Sequence, residues 1–331
     1  MKKGVVGLIV LLLSATASGQ RRDGPPQPPA PREVIASAIP GVVAAGTRIE
    51  LVAFPVQSPE GSIGLPDGSG ILFCERPEHI ARIDASGNMS TFVEKGNASN
   101  GLAWDSKGRL IAVQRPRGAE KVGVLYPAGS VATLVDNFEG KPFNGLNDLV
   151  VSTKDGIYFT DTEGVYYLAP GAPGSQVKKV IQDIENPNGV QLSPDEKTLY
   201  ANDKDGEYLL AFDVQPDGSL KNRRNFGKYK SVKVAGSKDP RLAEDNGADG
   251  LAIDGEGRVY VATNLGVEVF SPRGQHLGVI PIGVWGGEQR IDGKPANLTF
   301  AGPDRKTLYT VGSGAVYRVP LVAQGFRGRG K

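Results

Sequence analysis

Six times between residues 60 and 309 the chain returns to one pattern: a polar residue, a short small or apolar stretch, a turn, and an alternating strand. Glu60-Gly61 leads to Pro66-Asp67-Gly68 and Ile71-Leu72-Phe73, and Asn100-Gly101-Leu102-Ala103-Trp104 leads to Lys107-Gly108 and Leu110-Ile111-Ala112-Val113. Asn147-Asp148-Leu149-Val150-Val151 precedes Asp155-Gly156 and Ile157-Tyr158-Phe159, and Asn188-Gly189-Val190-Gln191-Leu192 precedes Ser193-Pro194-Asp195 and Thr198-Leu199-Tyr200. The last two copies start at Asp249-Gly250-Leu251-Ala252-Ile253 and at Asn297-Leu298-Thr299-Phe300. A repeat of about 40 to 60 residues cannot bury its own apolar face, so neighbouring copies must pack on one another.

Each copy reads as a β-hairpin, because two period-2 apolar strands flank a turn rich in Asp, Gly and Pro. Two further strands fit between copies. Four antiparallel strands per unit and six units closed around an axis predict an all-β, six-bladed β-propeller, an arrangement that leaves no long sheet edge exposed. Arg48 to Phe54 alternates as a strand ahead of the first copy and is expected to pair with Val316-Tyr317-Arg318-Val319, closing the ring. Composition agrees: 45 glycines and 24 prolines are spread along 331 residues, and no window of about a dozen residues keeps helical apolar spacing.

The expected organisation is a signal peptide over 1–19, a proline-rich linker over 20–34, the propeller over 35–322 and a basic tail over 323–331. Met1-Lys2-Lys3 is a basic start, Gly4 to Leu13 an apolar run too short to cross a bilayer, and Ala15-Thr16-Ala17 a set of small residues suited to cleavage. Export, to a periplasmic or extracellular space, follows. Cys74 is the only cysteine, which excludes an intramolecular disulfide. Of 38 basic residues, Lys2 and Lys3 leave with the signal, so 36 face 36 acidic ones, and neither a nucleic-acid partner nor a membrane span is expected of the mature chain.

The six copies begin with Glu60, Asn100, Asn147, Asn188, Asp249 and Asn297, all oxygen donors, which identically oriented blades would present at one end of the axis. Taken singly, an Asn-Gly or Asp-Gly pair begins a turn. Six in phase, two of them acidic, point to a hard-cation site, since Ca²⁺ takes six to eight oxygen ligands. A zinc–thiolate site or a Ser-His-Asp triad is disfavoured: His79 and His276 lie in contexts that read as peripheral turns, and no G-x-S-x-G, Walker or dinucleotide glycine motif occurs. Trp104 and Trp285 read as packing residues, with Trp285 on a loop that could reach the pocket mouth, and Arg115-Pro116-Arg117-Gly118 as a solvated turn, with contact to an anionic substrate as the alternative.

Asn147-Asp148-Leu149-Val150-Val151 with Ile157-Tyr158-Phe159-Thr160-Asp161, Pro187-Asn188-Gly189-Val190 with Ser193-Pro194-Asp195, Asp249-Gly250-Leu251-Ala252, and Asn297 to Asp304 together resemble the regucalcin, senescence marker protein and gluconolactonase family, over residues 55 to 320 or so. The resemblance implies a six-bladed propeller that hydrolyses lactones, and sometimes other esters, with one divalent cation, calcium first and zinc, magnesium or manganese as alternatives. It further implies Glu60, Asn147, Asn188 and Asp249 as metal ligands, Asp249 as the catalytic proton-transfer group, and Asn100 and Asn297 as lining of the substrate pocket. Departures from the family pattern are Glu60-Gly61-Ser62 in place of Glu-Gly-Pro, Leu146 in place of Pro, Gly145 where some members carry a sugar-binding Arg, and a shortened Thr160-Asp161-Thr162-Glu163-Gly164. These leave the metal set intact and the sugar specificity open. The rival readings are a non-catalytic propeller that binds a ligand beside a structural ion, an esterase or phosphotriesterase on the same site, and a metal-free relative. On export, the intact mass is expected to show loss of residues 1–19; a secreted species that keeps Met1 overturns the signal assignment.

Overall fold

Six antiparallel sheets stand around a common axis in the computed structural model, five of them four-stranded and hydrogen-bonded in sequence order and the sixth closed by strands from the start of the fold; the structure describes residues 34–232, 245–282 and 294–328. The proposed signal, nearly all of the linker, Trp285 and the last three residues of the tail lie outside the described residues. Blade 1 comprises Pro59–Gly64, Gly70–Glu75, His79–Asp84 and Met89–Val93; blade 2, Ser99–Trp104, Leu110–Gln114, Lys121–Tyr126 and Ala132–Val135; blade 3, Leu149–Val151, Ile157–Asp161, Gly164–Leu168 and Lys178–Ile181. Blade 4 comprises Pro187–Leu192, Thr198–Asp203, Tyr208–Val214 and Leu220–Lys228, and blade 5 Leu251–Ile253, Val259–Thr263, Gly266–Phe270 and His276–Ile280. Each repeat read from the sequence is thus the inner hairpin of a blade. Among the described residues there is no α-helix, and no helix is long and apolar enough to cross a membrane.

Blade 6 takes its first three strands from Asn297–Ala301, Thr307–Gly312 and Ala315–Pro320 and its fourth from Thr47–Ala53, with Val34–Ala36 added as a fifth. The closing pair has the register Glu50↔Arg318 and Leu51↔Tyr317, as the alternation of Arg48 to Phe54 predicts. Arg318 adds a two-pronged ion pair to Glu50, 2.7 Å on each arm, and this hydrogen bonding holds the Glu50 carboxyl below its ordinary range. Such an exposed pair is worth under about 1 kcal/mol, so ladder and packing do the closing. The chain packs as far as Phe326, inside the segment 323–331 that its composition marks as a tail: Ala323 is buried, Gly325 bridges Asp254 and the Phe326 N–H donates to Ile253.

The turns explain the recurring Asp and Gly. Asp105 Oδ1 accepts from the N–H groups of Lys107 and Arg109 at 3.0 and 2.8 Å, and Asp254 Oδ1 does the same for Glu256 and Arg258 at 3.0 and 2.9 Å. Between blades the core is aromatic and aliphatic, with Phe73, Phe159, Tyr166, Tyr260 and Phe270 fully buried, and Tyr260 meets Phe300 edge-on across the junction of blades 5 and 6. Trp104 is the packing residue its sequence context suggests, and its indole N–H also donates to Gly64 O of blade 1 at 3.0 Å.

The glycine that follows four of the six repeat heads answers to close approach of the next blade. A Cβ on Gly189 would fall inside the contact radius of Asp249 O, and one on Gly61 would overlap Asn100 O; on Gly101 and Gly250 it would come within 2.7 and 2.6 Å of Asp148 and Asn297. Gly189→Ala is therefore expected to cost about 3 kcal/mol or more by urea unfolding. Gly108→Ala, at a turn with φ +70° and open space around the new methyl, is expected to cost about 1–2 kcal/mol.

Candidate functional site

The repeat heads are carried on or immediately before the six innermost strands, and in blades 1, 2 and 4 the ladder is irregular at the head itself: between Glu60 and Ile63, Ser99 and Leu102, and Pro187 and Val190. A bulge re-aims the side chain that sits on it, and here it frees Glu60, Asn100 and Asn188 from strict in-and-out alternation. The Asn-Gly pairs of blades 2 and 4 are accordingly strand residues at a blade junction, not the turns that such pairs form in isolation.

Side chains of the second strands then fix the heads by their backbone. At one equivalent position in three blades, the Cys74 thiol donates to Asn100 O at 3.0 Å, the Thr160 hydroxyl to Asn188 O at 2.7 Å, and the Asn202 amide to Asp249 O. Asn202 also accepts the Gly189 N–H at 2.9 Å, so a single buried amide ties two heads together. Each clasp runs from one blade to the next.

With their main chains held, the head side chains meet. Asn100 donates from Nδ2 to Asn147 Oδ1 at 2.9 Å, and Arg76 spans Asn100 Oδ1 at 3.0 Å and Glu60 Oε1 at 3.5 Å. Asn297 is committed otherwise: its Oδ1 accepts from Leu298 N at 2.9 Å and from the Ser62 hydroxyl at 3.3 Å, leaving its amide group for a ligand. Glu60 Oε2 and Asn188 Oδ1 are buried with no protein partner. Two such orphaned oxygens at one end of the axis, with the Asp249 carboxylate, suit a hard cation, because a buried acceptor left unpaired carries its full desolvation cost. Among the described residues no group of three or more His, Cys, Asp or Glu side chains is arranged for a metal, so the donor set is two carboxylates and amide oxygens. His79 and His276 open outer strands rather than turns, each 3.0 Å from a glutamate, Glu75 and Glu268 respectively.

The model of the SMP-30/gluconolactonase/LRE-like region matches residues 59–313, from the first inner strand to the end of the second strand of blade 6. The chain belongs to this family. A gluconolactonase of Zymomonas mobilis is 28% identical over 313 residues, covering 82% of this chain and 81% of its own, and lactonase drp35 of Staphylococcus aureus is 32% identical over 147 residues, 41% and 42% of the two chains. Among solved structures, a gluconolactonase from Xanthomonas campestris aligns with a TM-score of 0.71 at 24% identity, covering 91% of this chain and 99% of that one. A calcium-binding protein, regucalcin, from Agrobacterium tumefaciens aligns at 0.63 and 17% identity, covering 83% and 94%. At these identities the structural likeness speaks for the fold.

Within this SMP-30/gluconolactonase framework the departures have physical reasons. Ser62 is buried and spends its hydroxyl on Asn297, bridging blades 1 and 6. Gly145 has φ +71°, a conformation that strains any side chain, and a Cβ there would lie 2.6 Å from Thr162 Cγ2, which would have to shift. Three contributors escape a reading by repeat heads: Asn202, Arg76 and Asp148. Asp148 is buried, accepts from Leu149 N at 2.8 Å and Val190 N at 3.4 Å, and joins blade 3 to blade 4. Asn202 is the last residue but one of its second strand, the position of Cys74 and Thr160, and Arg76 lies just beyond the end of its own, so each was legible only as a position in the repeat.

Burial pushes the Glu60 carboxyl above its ordinary range; the Arg76 guanidinium opposes this and the Asp148 charge adds to it. Asp249 is pushed well above, again by burial and then by the Glu60 charge, with Lys204 and Lys294 opposing. A carboxyl raised in the folded state binds more protons folded than unfolded, so its contribution to stability is present below the ordinary value near 4 and is lost as pH rises through the raised one. In chelator, melting temperature is therefore expected to fall as pH climbs from about 4 toward neutrality, and Glu60→Gln or Asp249→Asn to flatten that fall. Thermal melts across that pH range, run in chelator, provide the check, and parallel wild-type and variant profiles would contradict it.

Proposed function

We propose that this chain is an exported lactone hydrolase that works with one divalent cation, calcium in the first instance, held by Glu60, Asn188 and Asp249 with Asn147 beside them. The observation that carries the reading is the pair of buried oxygens, Glu60 Oε2 and Asn188 Oδ1, left without protein partners on strands that converge with Asp249. The relatives support the reaction class: the names gluconolactonase, lactonohydrolase oryL of Aspergillus oryzae and lactonase drp35 share the lactone and not the sugar. When bound, the cation supplies Lewis-acid polarisation of an ester carbonyl.

The protein's own residues supply the rest. Asp249, buried and raised, is placed to take a proton from the attacking water and to return it to the ring oxygen as the acyl C–O bond breaks, so that one water adds across the ester and one hydroxy acid leaves. Asn100 and Asn147, linked to each other, present amide groups that orient the ring. The clasps from Cys74, Thr160 and Asn202 keep the heads from moving apart, so the geometry is set before substrate arrives.

A panel of sugar and aliphatic lactones, assayed with chelator and after calcium is restored, tests the class and the metal together. Turnover that vanishes with chelator and returns with calcium is the expected result; turnover indifferent to chelation removes the metal, and binding without turnover leaves a ligand-binding propeller. Asp249→Asn, saturated with calcium, is expected to hydrolyse lactones at least about 10²-fold more slowly. A wild-type rate in that variant takes Asp249 out of proton transfer.

A further inference from the structure

The second strand of every blade ends on the face that carries the heads, and the residue just beyond that end is Arg76, Arg115, Thr162, Lys204, Asn264 or Ser313 in turn. The position is structurally equivalent around the ring. Arg115 donates its N–H to Ala98 O, Thr162 to Asn144 O, Lys204 to Asn186 O and Asn264 to Asn246 O, each bond reaching back to the segment that leads into its own blade's head. Ser313 instead donates its hydroxyl to Lys294 O at 3.0 Å, which brings Lys294 to the same level of blade 6.

Charge is not spread evenly over this ring. Blades 6, 1 and 2 are consecutive, and they carry Lys294, Arg76 and Arg115, each only partly exposed and so laid against the protein. Arg76 reaches Glu60 and Asn100 directly, and the charge of Arg115 is felt at Glu60 and that of Lys294 at Asp249. Among the described residues neither Arg115 nor Lys294 forms an ion pair. Across the axis the balance is reversed: blades 3 to 5 bring Asp148, Asp249 and Asp245 against Lys204, whose ammonium lies 3.6 Å from Asp245. The arc over blades 6, 1 and 2 therefore holds three cations to the one head carboxylate, Glu60.

We propose that this arc is a subsite for an anionic substituent, so that the preferred substrate is a lactone bearing a second acidic group, a carboxylate on the ring or its side chain, recognised by Arg115 and Lys294 on either side of Arg76. Arginine meets a carboxylate with a planar fork of donors, and a half-buried cation is screened less than one in bulk solvent. The polarity across the axis gives such a substrate one orientation, with its acidic substituent over blades 6, 1 and 2 and its ester toward Asp249. The inference rests on the lactone-hydrolase reading above for the reaction, and on the cation arc alone for the binding.

The test compares D-glucono-1,5-lactone, which is neutral, with D-glucaro-1,4-lactone, which carries a carboxylate, using the mature protein in calcium at low and high salt. The carboxylate lactone is expected to have the higher kcat/KM by about tenfold or more, chiefly through KM, and to lose that advantage as salt rises. Arg115→Gln and Lys294→Gln are each expected to lower the anionic-to-neutral ratio about fivefold or more, while Arg115→Lys retains most of it. A ratio at or below one, or a ratio that neither Gln variant changes, overturns the subsite. If neither lactone is hydrolysed, the enzymatic reading fails separately, and calorimetry with tetrahydrofuran-2-carboxylate against tetrahydrofurfuryl alcohol still decides the binding claim. Preference for the carboxylate that Arg115→Gln removes supports it, and equal binding of the two probes, or a preference untouched by Arg115→Gln, ends it.

Discussion

A side chain on one blade holding the backbone carbonyl of the next blade's head residue is the interaction on which the site depends. Cys74, Thr160 and Asn202 do this at matching positions, and the glycines after the heads let the innermost strands come close enough for the bonds to form. Without those contacts the heads would sit on six hairpins free to splay; with them, two carboxylates and several amides are held in one small volume. Burial raises both the Glu60 and the Asp249 carboxyl, and the Asp148 charge at Glu60 and the Glu60 charge at Asp249 add to it. Buried acceptors without partners are costly in the free protein, and the same cost is returned when a cation supplies the missing partner.

The ring places different demands on the outer turns and on the centre. Turn aspartates such as Asp105 and Asp254 accept from the backbone N–H groups of their own loops. Inner-strand residues answer to two blades at once. Ser62 and Asn297 bond across the junction of blades 6 and 1, and the extra strand Thr47–Ala53 completes blade 6 from the other end of the propeller sequence, so the centre is complete only when both ends of the propeller meet.

Much of this was legible beforehand because the repeat is a local signal. Alternation of period two marks strands, Asp-Gly and Pro-Asp mark turns, and six in-phase copies leave a propeller as the economical closure. The closing strand was legible too, from alternation at Arg48 to Phe54 and a partnerless fourth position in the last blade. The heads were visible as a series, but their separate duties were not. Asn297 spends its carbonyl on Leu298 and Ser62, Asn100 is shared between Arg76 and Asn147, and Glu60 and Asn188 each keep a buried oxygen in reserve. Those differences arise from neighbours far away along the chain.

By itself the sequence determined the class of fold, the count of blades, the turn chemistry and the six oxygen-bearing heads, since each follows from residues within one repeat. Only the tertiary structure decided which oxygens stay free, that Gly189 and its counterparts are needed for close contact between blades, that Asp148 and Asn202 tie neighbouring blades, and that the cations gather over blades 6, 1 and 2. The physical reason is range. Propensity and periodicity act over a few residues, whereas hydrogen-bond commitment, desolvation and charge are set by side chains that sequence separates by tens to hundreds of positions and ring closure brings together.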